Sequence, residues 1–370
     1  MPYNRSEPYN DLPLLPPNAD IESKEILKKC ITARSRIAAL KQAGELIPNP
    51  AVLINTIPLL EAKVSSEIEN IVTTTDKLFQ FASGNEEKAD HATKETLRYR
   101  QALYQGYLAI RERPICTTTA VDVCRTIRDV EVDIRKVPGT ALANDRTGEV
   151  IYTPPTGEGV IRDKLANWEK FVNENQDIDP LIRMAIMHYQ FEAIHPFSDG
   201  NGRTGRILNL LLLIQEELLD IPVLYLSRYF INNKNQYYAL LREVTENENW
   251  QSWILYVLDA VAETAQWTTD KIKTAQELLL YTCEYINQKS PKVYSRELVE
   301  TIFEQPYCRI QNIVDKGIAK RQTASTYLKK LVDINVLKEM NAGREKLYIN
   351  PKFFILLTQD ENSYEPFSLK

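Results

Sequence analysis

Two apolar runs of helical period, parted by a proline and a glycine-rich stretch, constrain this chain more than any other feature. Leu181 to His195 reads as a helix opened by Asp179-Pro180, a cap followed by proline at the first helical position. Pro196 stops it, because proline disfavours helical geometry at the residue before it. A second run, from about Thr204 to Leu219, reads as the next helix. The end of one buried helix, a tight loop and the start of another must therefore meet at one place.

What the loop offers is phosphate chemistry. Gly200, Asn201 and Gly202 let backbone N–H groups turn toward one point. A helix start follows, where unpaired N–H groups and the helix dipole favour anions. Arg203 and Arg206 lie three apart, so both can fork onto one polyphosphate. Asp199 is a hard oxygen ligand suited to Mg²⁺. His195 is the side chain here whose ordinary pKa suits base work near neutrality.

Rival readings fit less well. Gly200-Asn201-Gly202-Arg203-Thr204-Gly205 matches the dinucleotide fingerprint GxGxxG, but that motif needs a preceding strand, and a helix precedes it here. The P-loop pattern GxxxxGK[ST] is absent. His188, Glu192 and His195 share a helical face and could chelate zinc, yet they match neither metalloprotease spacing and leave both arginines unexplained. His188 is better read as a hydrogen-bonded core histidine. Six compatible residues within twelve positions also set the stretch apart from an inter-helix loop with surface arginines.

The rest of the chain reads as mainly α. Residues 1–20, rich in proline and asparagine, form an extended arm. Residues 21–110 form a helical region, interrupted at Pro48-Asn49-Pro50 and Ser83-Gly84-Asn85. Arg135 to Pro155 alternates like a hairpin turning at Asn144-Asp145-Arg146-Thr147-Gly148. Helical pattern resumes near Asp163, and further helices fill Asn233 to Gln288. After Ser290-Pro291 come three short helices, one capped by Ser295, then Arg309–Asp315 and Thr323–Leu331. A two-stranded wing over Leu337–Ile349, turning at Asn341-Ala342-Gly343, completes a winged helix-turn-helix order over 290–355. A net charge of −5 argues against coating nucleic acid or a membrane surface. No signal-peptide pattern opens the chain, and five scattered cysteines suggest reduced thiols, so a cytoplasmic address and no membrane partner are expected.

His195-Pro196-Phe197-Ser198-Asp199-Gly200-Asn201-Gly202-Arg203-Thr204-Gly205-Arg206 resembles the Fic (Fido) signature HxFx[DE]GNGRxx[RK] at every defined position. The resemblance spans roughly residues 50 to 260 and implies a Fic helical bundle over 111–270 with a β-hairpin flap. It also implies a nucleotidyltransferase, a protein adenylyltransferase that moves AMP from ATP to a Ser, Thr or Tyr hydroxyl of a target or of the chain itself. On this resemblance His195 is the base, Phe197 anchors the loop and Asp199 holds Mg²⁺. Gly200, Asn201 and Gly202 cradle phosphates through backbone N–H groups and the Asn201 amide, and Thr204 and Gly205 complete the nucleotide-binding set. Arg203 takes the β-phosphate and Arg206 the γ-phosphate. Val150, Ile151 and Tyr152 pair with an extended target segment, and Asn232 and Tyr238 line the adenine pocket.

Many Fic proteins also carry an inhibitory helix with the pattern [ST]xxxE[GN], which Ser65, Glu69 and Asn70 match. Glu69 would pair with Arg206 and misalign ATP. Three further readings stand beside this one: a DNA-binding regulator whose Fic domain senses nucleotide, a Fic-type enzyme that removes AMP, and a homodimer. For 290–355, docking or dimerisation is favoured over DNA contact through Thr323, Thr326 and the surrounding basic residues Lys316, Lys320, Arg321, Lys329, Lys330, Arg344 and Lys346.

Overall fold

The computed structural model describes residues 3–45, 49, 51–82, 84, 86–143, 147–342 and 345–367, and among them the chain is mainly helical. After the arm come α1 (Lys24–Glu45), α2 (Ala51–Ile54), α3 (Ile57–Ile68), α4 (Thr75–Ala82), α5 (His91–Ala109) and α6 (Thr117–Arg128). A hairpin, β1 (Leu142–Ala143) and β2 (Val150–Tyr152), separates these from α7 (Glu158–Glu174), α8 (Pro180–Ile194) and α9 (Asn201–Gln215). Then follow α10 (Ser227–Asn232), α11 (Lys234–Asn247) and α12 (Trp250–Lys289). The last part holds α13 (Arg296–Phe303), β3 (Tyr307–Cys308), α14 (Ile310–Asp315), α15 (Arg321–Asp333), β4 (Lys338–Ala342), β5 (Glu345–Ile349) and α16 (Pro351–Thr358).

Helices α8 and α9 are apolar on nearly every face, and a helix of that kind belongs at the centre of a bundle. Helices α5, α6, α7 and α12 surround the pair. Two buried indoles tie this shell to α8: Trp168 donates to the Met187 carbonyl (3.1 Å) and Trp253 to that of Ala185 (2.8 Å). Helices α5 and α9 approach so closely at Gly106 that a Cβ there would lie 2.7 Å from Leu211 Cδ1.

Helix α12 is 40 residues long, about 60 Å at the usual rise, and has no glycine or proline. It packs along α1 and α8, and its C-terminal half reaches α13 and α16. Buried Lys271 on α12 donates to the carbonyls of Leu356 (2.7 Å) and Gln359 (2.8 Å), fastening the end of α16. In the C-terminal part β5 lies between β3 and β4, antiparallel to both.

Several expected boundaries move. Helix α9 begins at Asn201, not Thr204, so the Gly-Asn-Gly stretch forms its first turn; the helix ends at Gln215, short of Leu219. Among the described residues, pairing in the flap is confined to Leu142 with Tyr152 and Ala143 with Val150, and Pro138 cannot donate to a ladder that would otherwise extend from Arg135. The turn residues Asn144, Asp145 and Arg146 lie outside the described residues. So do Pro48, Pro50, Ser83, Asn85, Gly343 and Arg344. All five cysteines are free. No helix among the described residues is long and apolar enough to cross a membrane.

Replacing Gly106 by alanine should lower stability by about 1–3 kcal/mol, because fully buried Leu211 has nowhere to move. Urea unfolding should show an earlier midpoint with an unchanged slope.

Candidate active site

The loop between α8 and α9 is held by geometry that its sequence encodes. His195 caps α8 in the left-handed region (φ 49°, ψ 59°), and Pro196 follows. Gly200, at φ 88°, caps α9 in a conformation that L side chains rarely adopt. Buried Asn201 uses its side-chain amide within the loop: Phe197 N–H donates to Oδ1 (2.8 Å) and Nδ2 donates to the Phe197 carbonyl (2.8 Å). The expectation that this amide faces phosphate is therefore corrected. Both of its polar atoms brace the anchor residue Phe197, which leaves only the Asn201 backbone N–H for an anion.

A cavity of about 780 Å³ opens beside the loop. It is lined by Glu69, Glu192, His195, Gly202, Arg206 and Tyr238, with Ile151 and Tyr152 of the flap, Asn70 and Lys234. Asn232 does not line it and is exposed at the end of α10. Thr204 is fully buried away from the cavity. Gly205 serves packing: a Cβ there would lie 2.8 Å from Glu192 Oε1 and 3.3 Å from Phe191. Of the flap residues, Ile151 is exposed, whereas Tyr152 turns inward and donates to the Ala193 carbonyl (2.7 Å). Val150, half-buried, pairs with Ala143.

Both arginines are engaged by carboxylates. Arg206, buried, donates to Ser65 Oγ (2.8 Å), the Ser65 carbonyl (2.8 Å) and Glu69 Oε1 (2.7 Å). Burial works to raise the Glu69 pKa, but the Arg206 guanidinium more than offsets this and holds it below the ordinary carboxylate range. Glu69 is the C-cap of α3, and Asn70 follows at φ 62°, the left-handed position that asparagine tolerates. Gly202 leaves the space Glu69 fills, since a Cβ there would lie 2.3 Å from its Oε1. Helix α3 is itself buried on nearly all sides, and its Glu61 accepts from Ser227 N–H (2.9 Å) and Tyr99 Oη (3.2 Å).

Arg203, equally buried, donates to Glu95 Oε1 on α5 (2.6 Å). Asp199 is half-exposed, ion-paired with Arg128 and 3.8 Å from Arg203. Arg135 gathers the end of α8, donating to the His195 carbonyl (2.7 Å) and to that of Ile194 (3.3 Å). Burial, then the Arg135 charge, lowers the His195 pKa to about 4, so its imidazole is neutral and able to accept a proton at neutral pH. His188 is the core residue expected, buried with Nε2 2.8 Å from Tyr237 Oη. No cluster of three or more metal-ligating side chains occurs among the described residues. A magnesium ion held by one carboxylate, phosphate oxygens and water would fit Asp199, whose carboxylate is half-exposed beside Arg128 and Arg203.

Glu95, Arg128, Arg135 and Glu192 had no motif to mark them. Glu95 and Arg128 sit on helices α5 and α6, distant in sequence from the loop. Only Glu192, which shares a helical face with His188 and His195, left a trace in the sequence.

Three family models match in succession: the Fic/DOC family N-terminal over residues 27–108, the Fic/DOC family over 114–213, and the C-terminal domain of protein adenylyltransferase SoFic-like over 278–353. The chain is 35% identical over 92 residues to protein adenylyltransferase fic-1 of Caenorhabditis briggsae, covering 24% of this chain and 17% of that protein. It is 25% identical over 196 residues to protein adenylyltransferase Fic of Drosophila yakuba, covering 50% and 38%. It thus spans well under two thirds of the length of these curated relatives. The crystal structure of a Fic family protein from Desulfovibrio desulfuricans G20 shares the fold at a TM-score of 0.55 and 15% identity, over 88% of this chain and 96% of that one.

Glu192 supplies a pH test of the cavity. Burial raises its pKa to about 7, with Glu69 adding to the rise and Arg206 opposing it. The folded chain thus binds this proton more tightly than the unfolded chain does. The associated stability is complete below the unfolded value of about 4.3 and is lost as pH rises through about 7. Glu192→Gln should remove that loss, so thermal midpoints of variant and parent should diverge between pH 5 and pH 8 in the variant's favour.

Proposed function

This chain belongs to the Fic/DOC family, and we propose that it is a protein adenylyltransferase, moving AMP from ATP to a protein hydroxyl and held at rest by Glu69. The observation that carries the reading is one cation with two claimants. Arg206 stands in the first turns of α9, beside the helix N-terminus, yet its guanidinium is bonded to Glu69. A triphosphate whose γ-phosphate sought that guanidinium would meet a carboxylate instead.

On this reading the β-phosphate lies against Arg203 and the backbone N–H groups of Gly200, Asn201 and Gly202, where the helix dipole favours anions. Asp199 would hold magnesium once Arg128 releases it, and that ion, when bound, would neutralise phosphate charge. Tyr238, exposed on the cavity wall, offers a ring face for adenine. An acceptor hydroxyl loses its proton to the neutral His195 imidazole and attacks the α-phosphorus, and diphosphate departs. The nearby phosphates would also raise the basicity of His195, because negative charge favours the imidazolium. The outward-facing Ile151 on the flap suits an extended target segment lying along β2.

The C-terminal part has the order helix, strand, two helices, hairpin, which supports a winged helix-turn-helix. Lys320, Arg321, Lys329 and Lys330 are exposed on or beside α15. Dimerisation or docking of a protein target is the favoured use, and a mobility shift on mixed-sequence DNA that weakens with salt would favour DNA.

Glu69→Gly should raise incorporation of label from ATP and Mg²⁺ on the order of 100-fold, the cost of a misplacement near 1 Å, and His195→Ala in that background should abolish it. Absence of incorporation in Glu69→Gly while ATP binds would sink the reading. The same variant leaves Arg206 without its carboxylate, so without nucleotide it should lose about 2 kcal/mol of stability, partial exposure of Glu69 reducing the full cost. ATP should then raise its thermal midpoint more than it raises that of the parent.

A further inference from the structure

Glu69 can meet Arg206 only if α3 ends at the right residue and in the right pose. The last four carbonyls of a helix have no partner within it, so what satisfies them decides how firmly the end is held. In α3 each of the four finds a partner. The Ser65 carbonyl accepts from Arg206 Nη2 (2.8 Å). That of Ser66 accepts from the N–H groups of Glu69 and Ile71 (3.0 Å each), and that of Glu67 from Asn70 N–H (3.0 Å). The Ile68 carbonyl, last of the four, accepts from Lys234 Nζ (2.7 Å).

The place of this last bond matters. The Ile68 carbonyl and the Glu69 N–H belong to one planar peptide unit. The unit that carries Glu69 is therefore held at both polar atoms, by Lys234 and by the Ser66 carbonyl. Lys234 opens α11, and a cation in the first turn of a helix stands against that helix's own dipole. Here its charge is turned to the negative end of α3 instead. Ile68, Glu69, Asn70 and Lys234 all line the cavity. The body of α3 is fixed separately, through Glu61, so the lysine acts on the end alone.

We propose that Lys234 is a positioning residue of the inhibited state, fixing the Ile68–Glu69 peptide so that the Glu69 carboxylate meets Arg206. The inference rests on the autoinhibited adenylyltransferase reading. Without the lysine amine the Ile68 carbonyl turns to water and the end of α3 frays. The carboxylate is then no longer held 2.7 Å from the guanidinium, and a γ-phosphate competes for Arg206 against a partner out of register. Lys234 acts through Glu69 and touches neither the nucleotide nor the reacting atoms.

The test uses the full chain with Lys234→Met, which keeps an apolar stem and removes the charge and the donor, beside Glu69→Gly. Incorporation of label from ATP and Mg²⁺ should rise about tenfold in Lys234→Met, the worth of one charged hydrogen bond at its low end. Lys234→Arg restores a donor and should return incorporation to the parent's level. Hydrogen exchange should quicken in Lys234→Met over residues 66–72 and not earlier in α3, a readout that needs no catalysis. Adding Lys234→Met to Glu69→Gly should change neither kcat nor KM for ATP, since the carboxylate to be positioned is gone. Incorporation at the parent's level in Lys234→Met, with Glu69→Gly active, overturns the inference and leaves the enzyme reading intact. A higher KM for ATP in the double variant also overturns it, by marking Lys234 as a nucleotide contact. No incorporation in Glu69→Gly removes both.

Discussion

A guanidinium buried between α3 and α9 governs the arrangement of the cavity. Taking Arg206 out of water costs several kcal/mol unless an anion and further acceptors surround it. The fold supplies a serine hydroxyl, a backbone carbonyl and the Glu69 carboxylate. Two features of the sequence follow from that requirement. Gly202 is small so that the carboxylate can sit there, and Asn70 adopts the left-handed turn that ends α3 at the right residue. On the proposed reading, inhibition and nucleotide binding would then be one competition for a single cation.

The body of α3 is not free to leave in that competition. Its residues are buried on nearly every side, and Glu61 is bonded into α5 and α10. Glu69, by contrast, sits at the helix end and keeps about a third of its side chain exposed. Release therefore calls for a side-chain rotation at the cap, with the helix remaining as a wall of the cavity. The second arginine follows the same logic on the opposite side, where Glu95 of α5 satisfies Arg203.

What could be read from the chain beforehand was the chemistry packed into contiguous residues. The loop from His195 to Arg206 names its own parts, and the pair formed by Glu69 and Arg206 followed once the two motifs were seen together. Pairings decided by tertiary packing were not legible: Glu95 meets Arg203 across 108 residues, and Arg135 reaches the end of α8 across 60. Asn201 illustrates a different limit. A polar residue in a phosphate loop suggests ligand contact, whereas its amide closes the turn on Phe197. The start of α9 was displaced by three residues because Gly-Asn-Gly reads as a breaker, though a glycine cap followed by asparagine can open a helix.

Helix α12 has a mechanical consequence. It is uninterrupted by glycine or proline, braced by α1 along its first half and clamped to α16 through Lys271. Such a strut acts as a ruler between the body that holds the loop and the part that holds α15. On the proposed adenylyltransferase reading, a target gripped by the far end would be delivered at a set span and bearing from the cavity, and the choice of which hydroxyl arrives there would become partly a matter of length.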